Sequence, residues 1–480
     1  MYPSCSVCTM SKYWTLHVKD FAKIREASIE AAPLTLFVGD NNSGKSYLLS
    51  LLWGLTRGVN LSDRMSTVEQ KSRTKLGDMQ KLLDSWKTRN CNELAEGSET
   101  HSEFENMWSL NSEEQSILVN GVNTFLATVK DDIINEIFNT DEICAGSIRI
   151  DMPHWENFKV GFRKQNGFVF PLVFPLAMGS HNQICGFGFS RMSEIPNGIY
   201  DFQTDDTLGC ISHYMDLTLG RSIFIPAPRT GFLLTFKTLA QKSIRSTFSR
   251  EPKSGDNLTS PQVSYLERLT SLRKDVDSEI ISPSVRRIWD FVEQSIINGK
   301  IDITDTPLPE IQYKPEGLKQ TLPLYLSSGV VAEVAGFLSL LKFDQFEGIC
   351  IYEEPEMCLH PELQWKMARV LVKLVNMGFK VWASTHSDII IQHVNNMIKL
   401  SNYPDGEREQ LQRERGYDED DVISSDKVRM YQFDVAPDHK TDVRPLEHGI
   451  NGFRIPTFGK VFREMQDEVW NLRHEVKEAK

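Results

Sequence analysis

The stretch Gly39-Asp40-Asn41-Asn42-Ser43-Gly44-Lys45-Ser46 carries two glycines, a lysine and a hydroxyl at the spacing G-x-x-x-x-G-K-[ST]. That spacing suits a phosphate. Loop amides around Asn41, Asn42 and Ser43, together with the N-terminus of a following helix, make an anion cradle, and Gly39 and Gly44 let the backbone curl with no Cβ in the way. Lys45 reaches the phosphate oxygens as a point charge, and the Ser46 hydroxyl suits Mg²⁺. The flanks fit the motif: Leu34-Thr35-Leu36-Phe37-Val38 reads as a strand, and Tyr47-Leu48-Leu49-Ser50-Leu51-Leu52-Trp53 opens a helix. A chance match in an ordinary turn would need neither flank.

A second cluster starts at Leu326-Ser327-Ser328-Gly329, ahead of a helical run from Val331 to Leu341. Serines and a glycine at that place are ordinary N-cap chemistry. The strand Gly348-Ile349-Cys350-Ile351-Tyr352 then delivers Glu353-Glu354-Pro355-Glu356 at its C-terminal end. Beside a phosphate loop, one carboxylate can hold a hydrated Mg²⁺ and the next can orient an attacking water, so Glu353 is assigned to the metal and Glu354 to the water. Without that loop the same residues would read as a charged turn. A third strand, Phe379 to Ala383, leads into Ser384-Thr385-His386-Ser387-Asp388, and His386 is placed to sense the terminal phosphate. His360, in Leu359-His360-Pro361-Glu362, reads as turn chemistry.

The elements that must position these residues are spread widely. The chain has 480 residues, about three times an ordinary domain, so several modules or one core with large insertions are expected. Net charge is −12, which excludes coating of nucleic acid by bulk charge; any DNA contact is local or delegated to a partner. No apolar run is long enough to span a membrane and the first residues lack a signal peptide's basic and apolar regions, so a soluble cytoplasmic protein is expected. Of eight cysteines only Cys5 and Cys8 have metal-like spacing, and no second pair follows.

Residues from Tyr13 to Ile29 alternate as strands. An apolar stripe of Leu118, Val122, Phe125, Val129, Ile133 and Ile137 predicts a helix over about 112–138, and Leu76, Met79, Leu82, Leu83 and Trp86 mark an earlier one. Between about 147 and 192 the period falls to two, and Asn166-Gly167 predicts a type I′ hairpin. An extended run covers Arg221 to Pro226, and helices are expected over 265–281 and 285–297. No coiled-coil arm is indicated. Lys45 and Glu354 lie far apart, so the central sheet is interrupted by a large compact insertion and completed near 324–383.

The order of these motifs resembles the ABC-type ATPases of the SMC and OLD-like group. Val18-Lys19-Asp20-Phe21-Ala22-Lys23-Ile24 looks like the group's N-terminal strand, and Ile225-Pro226-Ala227-Pro228-Arg229 like its proline-arginine loop. The resemblance implies an α/β fold, an ABC-type P-loop ATPase head with a split central sheet and a large helical and β-hairpin insertion. It divides the chain into 1–58 and 319–480 as the halves of the head, 59–223 as the insertion and 224–318 as a helical region. ATP and Mg²⁺ are the implied cofactors. Gly39, Asn41, Asn42, Ser43, Gly44, Lys45 and Ser46 would bind nucleotide with Ser327, Ser328 and Gly329 of a facing head. Ser46 and Glu353 would hold the metal, Glu354 would be the catalytic base and His386 the switch histidine. Glu353 stands where transporters have aspartate, and the signature is LSSGV instead of LSGGQ, which fits slow turnover or ATP used mainly as a clamp.

Nuclease-fused members carry a Toprim domain after the histidine. Here the one acidic run there, Asp418-Glu419-Asp420-Asp421, reads as a solvated loop and not as a two-metal site. The chain therefore resembles the ATPase subunits of two-gene phage-defence systems of the PARIS and Septu kinds. That likeness implies a head-to-head dimer, a hexamer as a trimer of dimers, a separate nuclease of Toprim or HNH type and a phage-encoded trigger, with no membrane. An SMC-like ATPase of DNA repair or tethering and a self-sufficient OLD-like nuclease are the alternatives.

Overall fold

The computed structural model describes residues 13–56, 76–82, 84–85, 107–153, 158–165, 168–175, 222–235, 258–274, 283–344, 348–449, 452–455 and 464–472. Cys5, Cys8, Leu83, Trp86 and the Asn166-Gly167 turn lie outside these. The chain divides into two compact units, one of residues 1–21, 28–30 and 51–222, the other of 22–27, 31–50 and 223–480.

In the first unit, β1 (Thr15–Phe21) pairs antiparallel with β2 (Ser147–Asp151), from Thr15 opposite Asp151 to Lys19 opposite Ser147. Helix α1 (Ser112–Phe138) starts and ends where its apolar stripe predicts. Asn111 and Glu114 form a reciprocal capping box at its start, and Asn139 closes it in the left-handed conformation that asparagine tolerates. Its stripe is buried, and Asn123 pins it to the sheet by exchanging two hydrogen bonds with Ile150. Strands Phe158–Gln165 and Phe168–Pro175 pair antiparallel with Gln165 opposite Phe168, the register a two-residue turn requires.

The second unit holds the sheet that matters for the site. Its seven strands are Ile24–Glu30 (β3, whose last residues fall to the first unit), Leu34–Gly39 (β4), Ser222–Ile225 (β5), Ile349–Glu353 (β6), Lys380–Ser384 (β7), Val428–Val435 (β8) and Thr441–Pro445 (β9). They lie in the order β3-β9-β8-β4-β7-β6-β5. Strands β8, β4, β7 and β6 are parallel neighbours. Parallel strands are covered on both faces, so they read as continuous apolar runs; every residue of β4 and β6 is buried. One face packs Leu34, Leu36, Cys350, Tyr352, Val381 and Ala383 into a core with Leu338, Val370 and Leu374. On the other, Phe37 meets Tyr431 and Phe433.

The α/β expectation with a split sheet holds, since β4 sits beside β7 although some 340 residues separate them. The sheet is not completed by residue 383, however. Strand β8 pairs with β4 along Val428–Phe433, and β9 returns antiparallel from it. Those two strands mix charged and polar residues into their apolar ones and so lack the continuous apolar run of β4.

Of the helix expected over 265–281, residues 265–271 belong to a helix that runs over Ser260–Ser271 (α2), and 275–281 lie outside the described residues. Thr259 and Gln262 form its capping box and Pro261 sits in its first turn, so local capping chemistry sets the start five residues earlier than the apolar stripe does. The next helix is Pro283–Ser295 (α3), and Gly329–Ser339 (α4) ends in a wider turn, Leu340–Asp344. His360 caps helix Pro361–Asn376 (α5), its ring Nδ1 accepting from the Glu362 amide, as its turn context predicts.

The acidic run is solvated only in part: Asp418 and Glu419 are exposed, but the run's last carboxylate is not. Asp421 is fully buried, with carboxylate oxygens 2.6 Å from Arg369 Nη2 and 3.2 Å from Lys373 Nζ, and Asp418 lies 2.7 Å from Lys373 Nζ. These carboxylates neutralise two cations on α5 that would otherwise be stranded in the interior. Burial raises no signal in a run of four acids, so composition points the wrong way.

Candidate functional site

Register brings the predicted residues together. Glu353 lies opposite Ser384, Ser384 opposite Phe37, and Gly39 opposite Phe433, so the C-terminal ends of β6, β7, β4 and β8 share one edge. In open parallel sheets that edge is where ligands bind.

At this edge β4 ends in Gly39, whose φ of 126° excludes most side chains; a Cβ there would lie 2.1 Å from the Phe433 carbonyl oxygen. Gly44 has φ 94°. Asp40 anchors the loop to β8, its amide donating to Phe433 O and its carboxylate accepting from the Val435 amide. Lys23 Nζ donates to Asn42 O at 2.5 Å. Helix Lys45–Thr56 then begins at the loop's end, with the Leu48 amide donating to Gly44 O.

Lys45 is buried with its ammonium inside the loop, donating to Asp40 O (2.6 Å), Gly39 O (3.2 Å) and Ser43 Oγ (3.2 Å). Burial lowers its pKa to about 8 against the opposing pull of Glu354, Asp40 and Glu356. Phosphate oxygens would supply the charge that this ammonium lacks. Phosphate held in this loop would raise the Lys45 pKa, so its binding would take up a proton above pH 8. Between pH 8 and the bound-state pKa, ATP affinity is expected to fall about tenfold per pH unit, a slope that isothermal titration at several pH values reads directly. Over the window from about 8 to the ordinary lysine value the unfolded chain holds more protons, so the nucleotide-free protein gains stability as pH rises. Lys380, which burial also lowers to about 8, adds to the same gain in stability, so the affinity slope is the part that reports on Lys45.

The Ser46 hydroxyl lies near the Glu353 carboxylate and favours its charged form, and Glu353 Oε2 accepts from the Ala227 amide at 2.9 Å. Burial pushes Glu353 above the ordinary carboxylate range. A hydroxyl and a buried, under-compensated carboxylate beside a phosphate loop fit a divalent cation, which would supply the missing positive charge.

Glu354 has φ 43°, a left-handed backbone for a non-glycine residue that costs on the order of 1 kcal/mol. Its amide donates to Ser384 O at 3.0 Å, and its carbonyl accepts from Arg229 Nη2 at 2.7 Å. Its Oε1 lies 3.9 Å from His386 Nε2. Burial, and next the Lys45 ammonium, lower the His386 pKa, which leaves the imidazole neutral at pH 7. The His386 amide donates to Glu356 Oε1 at 2.5 Å. The loop, Ser46, Glu353, Glu354 and His386 thus gather at the sheet edge beside Lys45.

Ser327, Ser328 and Gly329 are engaged differently. Ser327 Oγ donates to Leu324 O, and Ser328 Oγ accepts from the Val331 amide as the N-cap of α4. Gly329 faces open space, and Tyr325 and Leu326 before it are exposed.

Sequence reasoning missed Glu333. It is 1% exposed on α4 and forms an ion pair with Arg229, which is fully buried, while its other oxygen accepts from the Thr230 hydroxyl. A lone acid in Val330-Val331-Ala332-Glu333-Val334-Ala335 was a readable signal, because such a helix is buried all round.

Residues 236–391 match the family model of the AAA ATPase domain. The match covers about a third of the chain, including Ser327 to Gly329, Glu353, Glu354 and His386, and stops short of the loop at Gly39 to Ser46. No curated protein matches the chain. Among solved structures, it is similar to an Smc head domain with an extended coiled coil bound to the C-terminal domain of ScpA, from Pyrococcus furiosus, at 11% identity, with 95% of this chain and 99% of that one covered and a TM-score of 0.39. The SMC head domain from Thermotoga maritima is 11% identical over 90% of this chain and 98% of that one, with a TM-score of 0.32.

Proposed function

We propose that the chain binds ATP with Mg²⁺ and hydrolyses it. The observation that carries this is the strand register that sets Ser46 beside Glu353, and Glu354 beside His386, around the buried Lys45 ammonium. Mg²⁺ would be held by Ser46 and Glu353, and it would neutralise charge on the phosphates. Lys45 and the loop amides orient the terminal phosphate, Glu354 takes the proton of the attacking water, and neutral His386 donates to the phosphate's developing charge. The AAA ATPase family match over the residues around Glu353, Glu354 and His386 supports the same reading.

The head works as a pair, with Ser327, Ser328 and Gly329 of one copy closing on the nucleotide of the other. Exposed Tyr325 and Leu326 and the open space at Gly329 support a surface available to a second copy. The chain serves as the sensor and scaffold subunit of a bacterial anti-phage complex, with the nuclease supplied by a separate protein. The use of Asp418 and Asp421 to neutralise Arg369 and Lys373 supports an effector outside these carboxylates.

The test is direct. Purified chain with Mg²⁺ is expected to release phosphate from ATP and to leave DNA and RNA intact, with cleavage arising only when the neighbouring gene product is added. Absence of phosphate release would sink the ATPase assignment. Cleavage by the chain alone, lost on replacing Asp418 and Asp421, would sink the effector assignment.

A further inference from the structure

We propose that Arg229 is the positioning residue for Glu354, and that it ties the backbone of the Glu353-Glu354 loop to helix α4 behind Ser328 and Gly329; this rests on the reading of Glu354 as base. Three carbonyls converge on one guanidinium: Pro226 O (3.1 Å) and Glu353 O (2.7 Å) on Nη1, and Glu354 O (2.7 Å) on Nη2. Nη2 also faces the Glu333 carboxylate, and the Tyr352 ring lies 4.9 Å beneath the guanidinium carbon. Arg229 has no exposed surface, so this arrangement is a built interior device and not a surface ion pair.

The consequence falls on Glu354. Its left-handed backbone is held from two sides, by its own amide on Ser384 O and by Arg229 on its carbonyl. Release of the carbonyl lets the residue return to negative φ, which swings the Cα–Cβ bond and carries the carboxylate away from His386. A planar fork spans two successive carbonyls and a carboxylate at once, whereas a lysine head offers one point of contact. Glu333 sits one turn into α4, so the same guanidinium registers the position of the helix that presents Ser328 and Gly329. Arg229 touches neither nucleotide nor water in this scheme and acts through Glu354.

Removing one partner of a buried pair strands the other, whereas replacing both by apolar residues of similar size preserves a core. The test therefore uses the double variant Arg229→Met with Glu333→Met, and Arg229→Lys, which keeps a charge opposite Glu333. Both are expected to bind ATP within about threefold of the wild-type affinity while kcat falls at least tenfold with KM unchanged. Amide exchange over Glu353 to Met357 is expected to quicken, with exchange over Leu34 to Gly39 unchanged. Wild-type kcat together with wild-type exchange at Glu354 in either variant would overturn the proposal. If the wild-type protein itself hydrolyses no ATP, the base assignment fails, and exchange at the Glu354 amide still decides whether Arg229 holds that backbone.

Discussion

Glu354→Gln is expected to leave ATP bound and to slow its hydrolysis by about 10²–10⁴-fold, the usual worth of a positioned general base. Glutamine keeps the side chain's size, its contact with the neutral His386 ring and the strained backbone that Arg229 and Ser384 hold, and loses only the ability to take a proton. A bound and uncleaved nucleotide shared by two surfaces should also lock the head-to-head pair, so light scattering is expected to give twice the monomer mass with ATP. Adding Gly329→Asp should abolish that shift, because a carboxylate would enter the open space at the place where the partner's phosphate must approach. Hydrolysis by Glu354→Gln at the wild-type rate would remove Glu354 from the role of base.

Lys45→Met should separate folding from binding. Loss of a charged group from a desolvated phosphate contact costs about 2–5 kcal/mol, a drop in ATP affinity of ~30-fold or more. Stability should move the other way. The ammonium is buried, and its pKa of about 8 shows that burial outweighs its neighbours' attraction; a depression of that size corresponds to about 3 kcal/mol at neutral pH as an upper bound. The nucleotide-free variant is therefore expected to melt at or above the wild-type temperature while failing to be stabilised by ATP. A variant that melts lower and still binds ATP would show that Lys45 is a structural clamp on the Gly39 and Asp40 carbonyls and not a phosphate ligand.

Much of the site was legible in the chain because its chemistry is encoded locally. Strand, glycine-bearing loop and helix follow one another at Leu34 to Trp53 in the order they are used, and each carboxylate or histidine is the residue its own strand delivers at its end. A short apolar run of five or six residues that ends at a glycine loop or a charged turn reads as a strand covered on both faces, so β4, β6 and β7 and the split of their sheet could be inferred from pattern and spacing. Helix α1 was legible for the same reason, since eleven buried positions recur on one face between a capping box and an asparagine stop.

What depended on tertiary structure is the pairing of groups that pattern cannot relate. Whether Arg229 is a surface charge or the buried partner of Glu333 is decided by α4 packing against the loop after β5, about a hundred residues away in the chain. The left-handed backbone of Glu354 has no signature in its own neighbours, because the groups that hold it come from Ser384 and Arg229. Asp421 looks like one more solvated acid until Arg369 and Lys373 are folded against it. Sequence periodicity records which side a residue must face; the free energy of burying a charge depends on which opposite charge arrives from elsewhere, and only the fold brings it there.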